Sequence, residues 1–384
     1  MAKSTIISLG CGFDGGKDKS VLFFGAYKDN GQMTCVSSKT IKMTPAEIKK
    51  AVAWIVAKRN KIDPDHQLSF RIILESTSRY HERFLHLLHE AGLPACIVQP
   101  RLLKAYARSL GHTSKTDKLD AKAMAHYGCV RDARLWSPFS KHILELRDLL
   151  RARKNLKNRV TQFTNQLHAL DYAQFTSKQI ASSYRRLVKQ LLKEIGRLEA
   201  EIERIYQQDE KLRSKAEPIV RSVKGLGLLT VLTAAAETNG FTTVSGRKQL
   251  AKYGGYDVVE NQSADRKGKT KMSKQGNRHI RAMMYMAAVS HINHGEGNII
   301  AAFNRAQIKK PGIYKHANVV VQRKLLLLIY TLWTTGRVYE PFHDCKQIQP
   351  EADSPSTAKN TPDLCSEVHG IAPSEEALPN LAQS

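Results

Sequence analysis

The stretch TIISLGCGFDGGKDKSVLFFGAYKDNGQMTCVSS, residues 5–38, decides how the N-terminal part of this chain is read. Three runs rich in apolar and β-branched residues, 5–12, 20–26 and 33–37, predict three strands separated by short turns. Asp29-Asn30-Gly31 is a hairpin signal between the second and third, and the first run ends near Asp14.

Reading onward, Thr44 stands as an N-cap, with Pro45 at the first helical position and Glu47 three residues after the cap. An apolar strand at 70–74 ends on Glu75, a helix follows at about 79–91, and residues 95–98 form a short buried strand. This βββαβαβ order is that of an RNase H-like (RuvC-like) sheet, although alternation alone also suits other α/β folds. From about 139 to 217 the texture changes to long helices. Leu149, Leu156, Val160, Phe163, Leu167 and Leu170 keep heptad-like spacing, as do Leu191, Ile195, Leu198, Ile202 and Ile205. The two stretches, broken around 171–179, make either an antiparallel hairpin or a dimerising coiled coil. Residues 219–343 read as compact and mainly helical, with a turn-rich basic insert at about 255–277. Four segments are therefore expected: 1–135, 136–218, 219–343 and a disordered acidic tail at 344–384.

Sixty Lys and Arg against 35 Asp and Glu give a net charge of +25 over 384 residues. Residues 346–384 hold six acids and two bases, and removing that net −4 from +25 leaves +29 on the remainder. Such a field attracts polyanions. Binding to acidic membranes is the competing reading, but the sequence has no lipidation motif. Its longest apolar run, residues 325–330, is too short to span a bilayer. The six cysteines are scattered without a Cys-x-x-Cys pair, which speaks against zinc and against a disulfide framework. With no signal peptide visible, a reducing prokaryotic cytoplasm, in association with the nucleoid, is expected.

Four acids form the candidate site. Asp14 follows a strand, Glu75 ends another, and Asp117 and Asp120 lie three apart at the start of a helix, where they share one face. Carboxylates brought together repel one another unless a cation joins them, and hard oxygen ligands favour Mg²⁺ or Mn²⁺. Each acid taken alone also has a plain structural reading: Asp14 as a turn residue, Asp117 as an N-cap, Glu75 as a partner of Arg79. The basic residues expected at nucleic acid are Lys17 and Lys115 beside the acids, and Arg151, Arg153 and Lys154 in the first long helix. Lys224, Gly225 and Gly227 form a helix–hairpin–helix-like turn that suits phosphate, although a plain glycine connection between helices reads equally well. Arg266, Lys267, Lys269, Lys271, Lys274, Arg278 and Arg281 complete the set.

With these residues in place, the sequence resembles the DEDD, RuvC-like insertion-sequence transposases related to the Piv and MooV DNA invertases. The matching pieces are Asp14-x-x-Lys17-x-Lys19, Glu75-x-Thr77-x-x-Tyr80, Pro100 and Lys115-Thr116-Asp117-x-x-Asp120-Ala121. Further along they are Gly225-Leu226-Gly227, Tyr253-Gly254-Gly255, Met272-Ser273-Lys274-x-Gly276, and Arg281 with Tyr285. The resemblance covers roughly residues 5–340. It implies a transposase domain in the C-terminal part and Mg²⁺-dependent cleavage of double-stranded DNA. It also implies a homo-oligomer (a dimer or tetramer) and a structured non-coding guide RNA that chooses both DNA sites. A serine in the basic insert is implied as the nucleophile that forms a covalent phosphoserine. Ser263 is the match and Ser273 the rival. No base stands near Ser263 in sequence, so the acidic site is supplied from elsewhere, in the same or another subunit. Two other readings remain at this stage: a RuvC-like nuclease that cuts branched DNA with activated water, and a non-enzymatic basic nucleic-acid-binding protein.

Overall fold

The computed structural model describes residues 4–76, 81–111, 114, 116–175, 177–260, 262–263, 266–268, 270–309 and 311–342, with only the backbone described at 262, 263, 266 and 267. The expected tail lies outside the described residues. The chain divides into two compact units, Met1–Ile205 and Tyr206–Ser384.

The first unit opens with strands β1 (Ile6–Gly15), β2 (Lys19–Lys28) and β3 (Met33–Lys42). Each is longer than its apolar core suggests, because once one strand is fixed the ladder recruits flanking polar residues such as Lys39 and Lys42. Gly31, at φ 78, makes the turn between β2 and β3, and its N–H donates to the carbonyl of Lys28. Helix α1 (Pro45–Ile62) starts as expected, with Thr44 Oγ1 accepting from the N–H of Glu47. Strand β4 (Ser69–Glu75), helix α2 (Glu82–Glu90), strand β5 (Ala95–Val98), and helices α3 (Pro100–Ser109) and α4 (Asp117–Val130) follow. The sheet order is β3-β2-β1-β4-β5, with β1 to β3 antiparallel and β4 and β5 parallel to β1. Order and polarity are those expected of an RNase H-like sheet.

Alternation along the strands separates two faces. Leu9, Cys11 and Phe13 of β1, with Ile72 and Leu74 of β4, enter a core built with α1 and α2, where Phe13 stacks on Phe84 at 4.5 Å. Gly10 and Gly12 turn to the opposite face, which α4 covers. A Cβ on Gly10 would lie 2.2 Å from the carbonyl oxygen of Ala125, and one on Gly12 only 1.9 Å from that of Ala121. Helix and strand therefore touch backbone to backbone, which only glycine at these two positions permits. Ile73 of β4, facing the same way, packs with Met124.

Helices α5 (Lys141–Leu170) and α6 (Lys178–Gln208) follow, and the unit boundary falls inside α6. Ser140 caps α5, its Oγ accepting from the N–H of Ile143. Phe163 meets Tyr184 at 5.4 Å and Arg153 reaches Glu199 at 2.5 Å, so contacts that advance along α5 retreat along α6. The two helices are antiparallel.

The second unit is mainly helical: α7 (Glu210–Ser222), α8 (Leu228–Glu237), α9 (Arg247–Gly254), α10 (Arg278–His294), α11 (Asn298–Lys309) and α12 (Tyr314–Thr335). Between α9 and α10 lie four two-residue strands, β6 (Val258–Val259), β7 (Gln262–Ser263), β8 (Arg266–Lys267) and β9 (Lys271–Met272). The apolar run at 325–330 belongs to α12, whose Val321, Leu325, Leu326 and Ile329 are fully buried. Among the described residues, no helix is long and apolar enough to cross a membrane.

Candidate functional site

The β1–β4 register aligns Phe13 with Leu74, so Asp14 and Glu75 follow at one level of the sheet. By alternation both side with Gly12 and Ile73, on the face covered by α4. Helix α4 begins at that edge with Asp117 and Asp120 in its first turn. Thr116 is the cap, its Oγ1 accepting from the N–H of Leu119 at 3.3 Å. That disposes of the capping role for Asp117 and leaves its carboxylate exposed. Both acids also sit in the first turn of α4, at the positive end of the helix dipole.

All four acids line one cleft of about 690 Å³. Asp14, Glu75 and Asp120 are half-buried, and Asp117 is exposed. The same cleft is lined by Lys19, Arg101 and Lys104. Arg101 and Lys104 come from α3, a helix absent from the sequence-based element order although Pro100 marks its first turn. The cleft thus combines carboxylates that suit a hard cation with cations that suit the phosphates of a strand. Among the described residues, no three His, Cys, Asp or Glu side chains are gathered closely enough to hold a metal ion. Away from the cleft lining, burial pushes the Cys129 and Cys96 thiols up to about 11.

The structure distributes the expected basic residues unevenly. Lys17 is exposed but lines a neighbouring hollow with Lys42 and Thr44. Arg153 does not point outward. Its side chain is 11% exposed and its guanidinium pairs with Glu199 across the α5–α6 hairpin, through Nε at 2.6 Å and Nη2 at 2.5 Å. Arg151 and Lys154 are half-buried on α5. Lys224 is paired with Glu296 at 3.0 Å. Gly225, at φ 86, lies so close to α10 that a Cβ would come within 2.6 Å of the N–H nitrogen of His291, so internal packing already accounts for this glycine. Gly227 is the exposed N-cap of α8. Lys271, Lys274 and Arg278 are exposed, whereas Arg281 donates from Nη1 to the carbonyl of Gly254 at 2.8 Å. Arg266 and Lys267 form β8, and Lys115, Lys269 and Arg79 lie outside the described residues.

Ser263 lies on β7, its backbone paired with Arg266 in a small hairpin. Ser273 has a structural assignment: its N–H donates to the carbonyl of Asp257 at 2.8 Å, and its Oγ accepts from the N–H of Gln275 at 3.3 Å.

Residues 11–170 match the DEDD transposase family model, described as Transposase, and residues 217–303 match that of the Transposase IS116/IS110/IS902 family. The chain belongs to this DEDD transposase family. Among its relatives are the pilin gene-inverting proteins of Moraxella bovis and Moraxella lacunata. Each is 25% identical over 288 residues, which is 75% of the transposase and 85% of the relative. Among solved structures, Thermus thermophilus RuvC is 18% identical, covering 33% of the transposase and 99% of RuvC at a TM-score of 0.25. The same protein bound to a Holliday junction substrate scores 0.24. At these scores the fold assignment rests on the sheet topology, not on the superposition. Membership of the transposase family makes the chain an enzyme that acts on DNA.

Proposed function

We propose that this transposase cuts and rejoins double-stranded DNA at the ends of its own mobile element. Asp14, Glu75, Asp117 and Asp120 serve as a divalent-cation site and Ser263 as the nucleophile. The observation that carries the reading is the placement of four carboxylates from β1, β4 and α4 around one cleft. The donor set fits Mg²⁺ or Mn²⁺, since every ligand is a hard oxygen. Because the four are not gathered into a closed cage, binding an ion would draw them together. An ion held by Asp14, Glu75, Asp117 and Asp120 would supply neutralisation of the negative charge that builds on the phosphate.

The chain's own residues supply the rest. Lys19, Arg101 and Lys104 orient the strand through its phosphates. The hydroxyl oxygen of Ser263 attacks phosphorus and loses its proton to solvent. The new P–O bond replaces the bond to a deoxyribose oxygen, which departs and is protonated. A deoxyribose hydroxyl of the incoming strand reverses the step and frees the serine. The engagement of the Ser273 hydroxyl in its own turn supports Ser263 as the nucleophile. A structured non-coding RNA selecting the DNA sites agrees with the net charge of +25. Partly exposed Ile180, Leu187 and Leu192 on α6 support association of copies through a coiled coil.

Purified Ser263→Ala protein tests the serine. It should bind element-end DNA but form no protein–DNA adduct. Cleavage at the wild-type rate, with no adduct in the wild type either, points instead to a water-activated nuclease. DNA binding without Mg²⁺-dependent cleavage in the wild type would leave only a binding protein.

A further inference from the structure

The motifs Tyr253-Gly254-Gly255 and Met272-Ser273-Lys274-x-Gly276, together with Arg281, belong to the second unit. They build the base of the insert that carries Ser263. Four contacts join its two ends. The N–H of Ser273 donates to Asp257, that of Lys274 to Gly255 (3.1 Å) and that of Asn277 to Tyr253 (2.7 Å), while Arg281 holds the carbonyl of Gly254. The ends are in backbone contact at Gly276, where a Cβ would meet the N–H nitrogen of Gly255 and the carbonyl oxygen of Tyr253 at 2.4 Å. Lys274 is held at φ 54, a left-handed conformation that a non-glycine residue keeps only where its surroundings over-determine it.

Both ends are also tied to one residue outside the insert. Glu237, the last residue of α8, is 3% exposed. Its Oε2 accepts from Asn277 Nδ2 at 2.6 Å, on the exit side, and its backbone carbonyl accepts from the Tyr253 hydroxyl at 2.8 Å, on the entry side. Asn277 is oriented for this by capping α10, its Oδ1 accepting from the N–H groups of His279 and Ile280. A carboxylate at this position is unfavourable on two counts: it is buried, and it sits at the negative end of the α8 dipole. Helix stability alone would not place it there.

From this arrangement we infer that Glu237 is a positioning residue for the serine, acting through Asn277 to fix the base of the insert. The inference rests on the assignment of Ser263 as nucleophile. Ser263 stands beyond the β6–β9 stem, in the β7–β8 hairpin, so a small rotation at the base becomes a larger displacement at the hairpin.

Exchanging donor and acceptor provides the test, because the swap keeps the bond and reverses its polarity. In the full-length protein, Asn277→Asp retains the helix cap but sets two carboxylates against each other. Asn277→Ser retains a cap, but its shorter side chain cannot both cap α10 and span to the Glu237 carboxylate, and it adds no second carboxylate, which guards against misfolding of the first variant. Each should lower the single-turnover rate of adduct formation at saturating DNA by roughly tenfold or more, with DNA affinity unchanged. Amide exchange at Ser273, Lys274 and Asn277 should accelerate in parallel. Glu237→Gln combined with Asn277→Asp should restore both readouts to within about threefold of wild type. Wild-type adduct rates in both single variants, or a double variant no better than Asn277→Asp, would overturn the inference. If the wild type forms no serine adduct, the Ser263 assignment fails, while amide exchange still reports whether Glu237 orders the insert; unchanged exchange in the single variants would refute it.

Discussion

Substituting Gly12 by alanine tests the packing that builds the carboxylate cleft. The new Cβ would start 1.9 Å from the Ala121 carbonyl oxygen and 2.8 Å from the Ala125 nitrogen. Both obstacles are helix backbone, so no side-chain rotation relieves them. Carbon contacts are comfortable only near ~3.5 Å, so α4 must move off β1 by about 1–1.5 Å. Overpacking of this kind costs about 1–3 kcal/mol, which the 0% exposed Ala121 and Ala125 have no free space to absorb. Asp120 and Asp117 lie within one turn of Ala121 and move with it. A misplacement of ~1 Å at reacting groups costs about 10²-fold in rate. Gly12→Ala should therefore remain folded with a Tm lowered by a few degrees, yet lose about 10²-fold of its Mg²⁺-dependent cleavage of element-end DNA. Calorimetry and single-turnover cleavage on the same preparation measure the two effects. Wild-type cleavage by a folded Gly12→Ala protein would refute the argument that direct contact between β1 and α4 sets the positions of the acids.

Gly196, inside α6 with nothing within 4 Å of a built Cβ, provides the opposite case. Gly196→Ala should raise stability by about 0.5–1 kcal/mol in denaturant melts and leave cleavage unchanged. Asp117→Asn should keep the helix cap on Thr116 but lose more than about tenfold of Mg²⁺-supported cleavage, and full activity would remove Asp117 from the site. Lys104→Gln should weaken binding of unrelated DNA sequences alike and reduce the slope of log affinity against log salt by about 1, whereas an unchanged slope would place that lysine away from phosphate. His291 is fully buried, with Nδ1 at 2.6 Å from the Lys224 carbonyl, and desolvation lowers its pKa below the ordinary imidazole value. The unfolded chain then binds the extra proton first, so this contribution is present at neutral pH and is lost as the pH falls through about 6.5 toward the lower folded value. Tm measured across that range should fall less steeply for His291→Gln than for wild type.

What the sequence determined by itself was local. Apolar and β-branched runs, the Asp29-Asn30-Gly31 turn, the Thr44 cap and the strand–helix alternation after it foretold the βββαβαβ order, because each is encoded within a few residues. The four acids were legible for the same reason, each standing at the end of a strand or the start of a helix. Helix α3 was missed although Pro100 signalled it, and with it went Arg101 and Lys104, two of the cations lining the cleft.

Tertiary structure alone decided which cations remain exposed and which glycines serve packing. Arg151, Arg153 and Lys154 look alike in sequence, yet Arg153 is committed to Glu199, a residue 46 positions away. Gly225 resembles a phosphate-binding glycine until His291 is found against it, and Arg281 resembles a DNA contact until the Gly254 carbonyl is found beside it. Gly10 and Gly12 gave no local signal, because their role depends on a helix more than 100 residues further on. Strand order and backbone-to-backbone contact depend on chain segments that meet only on folding. That meeting places Asp14, Glu75, Asp117 and Asp120 around one cleft.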